Sequence, residues 1–149
     1  MEDKLEKLVL EDLETLHRPT GEKVGVIEYR HELINDYVDY AISTVAGDFK
    51  GMKIVLDCYH GAAFEASPKV FKALGAKVVV INDKPNGLNI NHNCGSTHLE
   101  GLQKAVIAHK ADIGIAHDGD ADRCLAVDEK GEIIDGDQIM VICALEMLK

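Results

Sequence analysis

At 149 residues the chain is long enough for one compact domain with a real core. Its formal net charge of -10 argues against binding nucleic acid or an anionic membrane surface, and no apolar run is long enough to span a bilayer. No secretory signal opens the sequence, and the four cysteines, Cys58, Cys94, Cys124 and Cys143, have no paired spacing; they read as reduced thiols of a cytoplasmic protein.

Apolar residues at helical spacing (Leu5, Leu8, Val9, Leu13, Leu16) predict an amphipathic helix over 1–16. Arg18-Pro19-Thr20-Gly21 ends it and opens a linker. A second helix is expected from about Tyr29 to Val45, and Gly47 and Gly51 mark a boundary. The main domain is therefore expected to start near Gly51. Met52 to Cys58 is an apolar run without helical period and reads as a buried strand. His60-Gly61-Ala62 is a turn of small residues into a helix reaching Leu74, with Pro68 in its first turn and Gly75 at its close. Lys77 to Asn82 is a second strand, close enough to the first for a parallel crossover.

Lys84 to Thr97 is polar and irregular, long for a connection and of the kind that usually carries function. A helix follows over His98 to His109, with Thr97 as its expected cap. Asp112 to Ala116 and Cys124 to Asp128 are the third and fourth strands, and Glu129-Lys130-Gly131 returns the chain for a hairpin with Glu132 to Ile134. Asp137 to Leu148 forms the last helix, with Asp128, Asp135 and Asp137 as turn and cap residues. The predicted class is α/β: a three-layer sandwich with a mixed, mostly parallel four-stranded sheet, an antiparallel edge hairpin and helices on both faces.

Between the third and fourth strands lies D-G-D-A-D-R. Asp118, Asp120 and Asp122 alternate with the small residues Gly119 and Ala121, and Arg123 follows. Three carboxylates packed so closely repel one another and are costly without a cation. An oxygen-liganded divalent ion, Mg²⁺ first, is the natural neutraliser. A helix-loop-helix calcium loop is a partial match, since Glu129 falls at position twelve from Asp118, but position six is Arg123 where that loop needs Gly. An aspartyl nucleophile at Asp118 with Asp120 as acid would suit a strand followed by D-x-D, but the third aspartate followed directly by Arg123 does not fit that chemistry. In an open α/β sheet, ligands gather beyond the carboxyl ends of the strands, which places His60, Gly61, Asn82, His117 and Asp118 at one edge. His60 and His117 read as structural hydrogen-bonding residues. His92, Cys94 and His98 are loosely metal-like in spacing but lack a CxxC pair or a fourth ligand.

D-G-D-A-D-R-C followed by L-A-V-D-E-K-G-E-I-I-D-G-D resembles the metal-binding domain of the α-D-phosphohexomutases. V-L-D-C-Y-H-G-A-A, L-G-A-K-V and N-I-N-H-N-C-G-S-T-H-L-E-G-L agree with it upstream, the last being similar to the phosphoglucosamine mutase branch. The resemblance covers about Arg18 to the C-terminus. It implies that Asp118, Asp120 and Asp122 ligate Mg²⁺ and that Arg123 sits beside a phosphoserine as a catalytic residue, although Arg123 also has aspartates at hand to pair with. It implies interconversion of glucosamine 6-phosphate and glucosamine 1-phosphate through a phosphoserine and a bisphosphate intermediate. The family's S-H-N serine loop does not occur here; the serines are Ser43, Ser67 and Ser96. The resemblance thus implies the second domain of a longer enzyme. On that reading 1–17 is the last helix of a first domain, 18–50 a linker and helix, and 51–149 the metal-binding domain leading into a third.

The expected partners are those remaining domains and, in the whole enzyme, a hexosamine phosphate. A homodimer through the apolar stripe of the N-terminal helix is a further expectation. A phosphomannomutase or phosphoglucomutase domain, or a stand-alone divalent-metal-binding module, are the alternatives.

Overall fold

The computed structural model describes residues 1–11, 14 and 16–148, which form two compact units, Met1–His31 and Glu32–Lys149. In the first unit, helix α1 spans Glu2–Leu10, with Glu2 and Asp3 in its first turn and Lys7 in its last, each complementing the helix dipole. It is shorter than the periodicity predicts, and Leu13 lies outside the described residues. No residue of α1 is buried, so no packing extends this short helix beyond what its own hydrogen bonds support. Leu5, Val9 and Leu10 are exposed on it.

The second unit begins with α2 (Leu33–Ser43), whose end is closed by the Ser43 and Thr44 hydroxyls donating to the carbonyls of Tyr40 and Ala41. There follow β1 (Lys53–Asp57), α3 (Ala66–Ala73), β2 (Lys77–Ile81), α4 (Glu100–His109), β3 (Ile113–His117), β4 (Cys124–Asp128), β5 (Ile133–Ile134) and α5 (Gly136–Met147). One sheet runs in the order β2-β1-β3-β4-β5. β1 pairs in parallel with β2 and β3, while β3–β4 and β4–β5 are antiparallel. The sheet therefore has five strands, the expected four plus β5 as the outer strand of the expected hairpin, and β4 runs antiparallel to β3. The cause is local: six residues join β3 to β4, too few for the crossover a parallel partner would need.

Alternation along β1 builds the two core layers. Val55 faces α4, in a cluster with Leu102, Val106, Ala116 and Val127. Ile54, Leu56 and Cys58 face the other way, against Phe71 of α3 and Phe49, Ile113 and Ile115. Helices thus cover both faces of the parallel part of the sheet, and α2 packs beside α3 within this unit. α4 lacks the expected Thr97 cap: Leu99 occupies that position without a side-chain bond, and the Thr97 hydroxyl reaches Asn91 Oδ1 at 3.2 Å instead. α5 opens with a capping box, Asp135 Oδ1 accepting from the Gln138 N–H and Gln138 Oε1 from the Asp135 N–H, each at 2.9 Å. Asp128 Oδ1 organises the β4–β5 turn by accepting from the Lys130 and Glu132 N–H groups. Among the described residues, no helix is long and apolar enough to cross a membrane.

Leu102 is fully buried under the sheet, whereas Ile142 of α5 is 60% exposed. Leu102→Ala should cost about 2–5 kcal/mol in urea denaturation, and Ile142→Ala should stay within about 0.5 kcal/mol of the parent.

Candidate metal centre

β1 and β3 lie side by side, and β2 leaves β1 on the opposite side. Their carboxyl ends therefore open on the point where strand order diverges, the usual place for a ligand in such sheets. The end of β1 carries a buried carboxylate, Asp57. Its Oδ1 accepts from the Tyr59 N–H and the Asn82 side-chain amide, each at 3.0 Å, and its Oδ2 accepts from the Gly95 N–H at 2.9 Å. These bonds satisfy an otherwise costly buried group and tie three loops together. Gly95 has φ of +76°, and a Cβ there would run into the Tyr59 ring, so the N-C-G-S segment needs glycine at this position. Asp57 escaped the sequence reading. Its only signal was a carboxylate closing an apolar strand, and its partners lie far along the chain.

At the end of β3 the chain makes the acidic bend. Asp118, Asp120 and Asp122 each offer an oxygen to a group whose members lie within 4.8 Å of one another. Among the described residues, this is the one such convergence of three His, Cys, Asp or Glu side chains. The Asp118 side chain is only 6% exposed, and Asp122 is 67% exposed. Asp118 Oδ1 accepts from the Arg123 N–H at 3.1 Å and its Oδ2 from Arg123 Nε at 2.9 Å. Arg123 Nε also lies 3.4 Å from Asp122 Oδ1, while 79% of the arginine side chain stays exposed. The Asp118 N–H donates to the Arg123 carbonyl, the Ala121 N–H donates to the Asp118 carbonyl, and Ala121 adopts φ of +63° to close the bend.

The charges split the carboxylates. Burial works against ionisation of Asp118, but the Arg123 backbone and guanidinium bonds outweigh it and hold the carboxyl below its ordinary value. Asp122 shifts upward, first through its hydrogen bond with Asp118 and then through repulsion from Asp120. Arg123 is raised by its bond to Asp118 and by the charges of Asp118 and Asp122. All donors at the site are hard oxygens, they carry excess negative charge, and they sit at a sheet edge. That set suits a divalent cation of the Mg²⁺ or Ca²⁺ kind. The helix-loop-helix calcium reading fails: β3 and β4 flank the bend, and Glu129 lies beyond the far end of β4, roughly 17 Å along the strand at about 3.3 Å per residue.

Two of the remaining candidates, His117 and His60, have structural partners. His117 Nε2 and Ser67 Oγ are hydrogen-bonded at 2.9 Å, joining the end of β3 to α3. Burial lowers the His117 pKa, against the pull of Asp118 and Asp57. His60 Nδ1 accepts from the Lys84 N–H at 3.2 Å. His92 and His98 are exposed while Cys94 is buried. Burial, reinforced by Asp57 and Asp83, pushes the Cys58 thiol up to about 12. Beside the bend, a cavity of about 450 Å³ lies between α2 and α3, lined by Tyr37, Ala41, Ala63, Val70, His117 and Asp120 among others.

Arg123→Ala should raise the Asp118 pKa, as read by carboxyl ¹³C shifts across a pH titration. A carboxylate with a depressed folded pKa stabilises the fold above its unfolded value, and the contribution disappears as pH falls through the folded value. Acid unfolding of the variant should therefore begin at higher pH than in the parent.

The sequence profile described as phosphoglucomutase/phosphomannomutase, alpha/beta/alpha domain II, matches residues 28–131. A phosphoglucosamine mutase of Symbiobacterium thermophilum is 55% identical over 147 residues, covering 99% of this chain and 33% of the relative. One from Clostridium acetobutylicum is 53% identical over 143 residues, covering 96% of this chain and 32% of the relative. The chain thus spans about a third of the length of the curated relatives it matches. A crystal structure of a phosphoglucomutase/phosphomannomutase family protein from Burkholderia thailandensis superposes with a TM-score of 0.69 at 28% identity, over 78% of this chain and 26% of the other. With its profile match, its relatives and its fold in agreement, the chain belongs to the phosphoglucomutase/phosphomannomutase family, as the α/β/α domain II.

Proposed function

We propose that this chain is the metal-binding domain of a cytoplasmic phosphoglucosamine mutase, holding Mg²⁺ on Asp118, Asp120 and Asp122 and presenting Arg123 to the phosphoryl group in transfer. The observation that carries the reading is the convergence of the three carboxylates with Arg123 on one bend at the carboxyl edge of the sheet. The C-G-S-T-H stretch and the roughly half-identical relatives favour the glucosamine branch over the phosphomannomutase and phosphoglucomutase branches.

Bound at this site, Mg²⁺ would supply charge neutralisation and polarisation of the phosphoryl group. The chain's own residues do the rest. Asp118, buried and bonded twice by Arg123, fixes the base of the bend and orients the guanidinium. Asp120 and Asp122, nearer solvent, bring two further oxygens to the same point. Arg123 spends Nε on Asp118 and Asp122, and its exposed guanidinium carries further N–H donors suited to phosphate oxygens. The 149 residues contain no S-H-N serine motif, so the phosphoryl donor belongs to another part of the parent enzyme on this reading. The hexosamine phosphate would likewise be oriented by the other domains. The exposed Leu5, Val9 and Leu10 of α1 support burial of that helix, against such a domain or against a second copy of the chain.

Mg²⁺ added to the chain should raise its melting temperature in a concentration-dependent way, by the equivalent of about 2.7 kcal/mol at a hundredfold excess over Kd. Asp120→Asn should abolish that response while leaving metal-free stability equal or slightly higher, since repulsion on Asp122 is relieved. An Mg²⁺ response in Asp120→Asn equal to the parent's would sink the assignment of the ligands. The chain on its own should not convert glucosamine 6-phosphate at saturating Mg²⁺ with sugar bisphosphate added. Sustained turnover by purified residues 1–149 would overturn the domain reading.

A further inference from the structure

We infer that the turn after β1, and Gly61 above all, is a positioning clamp that sets the acidic bend for its ion; the inference deepens the metal-site reading above and rests on it. The Ala62 N–H donates to the Gly119 carbonyl at 2.9 Å, so the turn grips the bend between its first two aspartates. Gly61 itself has φ of -110° and ψ of -160°, an extended conformation open to any residue. Backbone freedom is therefore no reason for glycine here. The reason is space: a Cβ on residue 61 would collide with the Gly119 carbonyl oxygen and lie 3.0 Å from its carbonyl carbon. The bend fits against the turn only because residue 61 has no side chain.

The space at the Gly119 Cα is closed as well. A Cβ there would lie 3.1 Å from Ile90 Cδ1 and 3.5 Å from the Tyr59 ring. Tyr59 is held in place by its N–H on Asp57, and the Asn91 N–H reaches the Tyr59 carbonyl at 3.4 Å, keeping Ile90 nearby. The turn is rigid in its own right. Tyr59 and His60 both have positive φ, the His60 N–H donates to the Asn82 carbonyl at 2.7 Å, and the Gly61 N–H donates to the Cys58 carbonyl at 2.8 Å. Gly119 is thus held at its carbonyl by the turn and bounded at its Cα by Ile90 and Tyr59, groups outside the three carboxylates, as outer-shell partners hold metal ligands in place.

Two variants of the full chain test this. Gly61→Ala adds the colliding methyl without conformational strain at residue 61. Ala62→Pro deletes the donor and sets the ring Cδ against the Gly119 carbonyl in its place, so it too pushes the bend off the turn. Gly101→Ala, at a helical site with nothing within 4 Å of the added methyl, is the control. Both test variants should keep a cooperative unfolding transition, shift the amide resonances of residues 118–123 and weaken Mg²⁺ binding by calorimetry by about tenfold or more. The control should bind Mg²⁺ as the parent does. Mg²⁺ affinities in both test variants within about twofold of the parent would overturn the clamp. If Gly61→Ala fails to fold, Ala62→Pro decides on the same readouts. If the parent binds no Mg²⁺, the metal reading falls separately, and the clamp is judged on the bend alone. It then stands if the 118–123 resonances move in the variants and is overturned if they match the parent's.

Discussion

Like charges on one short bend must be held together against their own repulsion, and much of this fold is arranged to do so. Carboxylates a few ångströms apart disfavour one another's ionisation unless a counter-charge stands beside them. Arg123 supplies the internal counter-charge, bonding Asp118 through both its main chain and its side chain. It cannot neutralise three carboxylates, and the upward shift of Asp122 is what remains of the strain. The bend is thus poised, with one carboxylate firmly ionised and paired and another that takes up a proton more readily than usual.

The surrounding architecture puts that poised bend where a ligand can reach it. Parallel pairing of β1 with β2 and β3 brings both turns to one edge, and the two-sided core keeps the strands from sliding. Asp57 extends the same logic inward. A buried charge whose oxygens accept three hydrogen bonds becomes a fixed point for the β1 turn, the Asn82 turn and the Cys94-Gly95 segment together.

Much of this was legible from residue order. The alternating aspartates, the short apolar runs and the glycine punctuation placed the strands and the bend, because those features are local. The unread parts depend on partners remote in sequence. Asp57 looked like a strand-end residue until Asn82 and Gly95 came to it. Gly61 looked like a turn residue, and its role emerges only against Gly119. Thr97 is a sound cap by type, but Asn91 takes its hydroxyl. The N-terminal helix was read too long because its apolar period implies a packing surface that α1 does not have within its unit.

The antiparallel return at the acidic bend also bears on how the domain assembles. His117 pairs with Cys124 directly across the bend, a local contact, whereas Ile54 pairs with Ile113 across more than a third of the chain. Loop-closure entropy makes the first pairing cheap to form and the second slow. The three aspartates are therefore brought together by a hairpin that can close in microseconds. The β1 turn that grips Gly119 arrives only with the long-range β1–β3 pairing. A folding order in which the hairpin closes first would leave the repulsion of the bend to Arg123 until β1 docks.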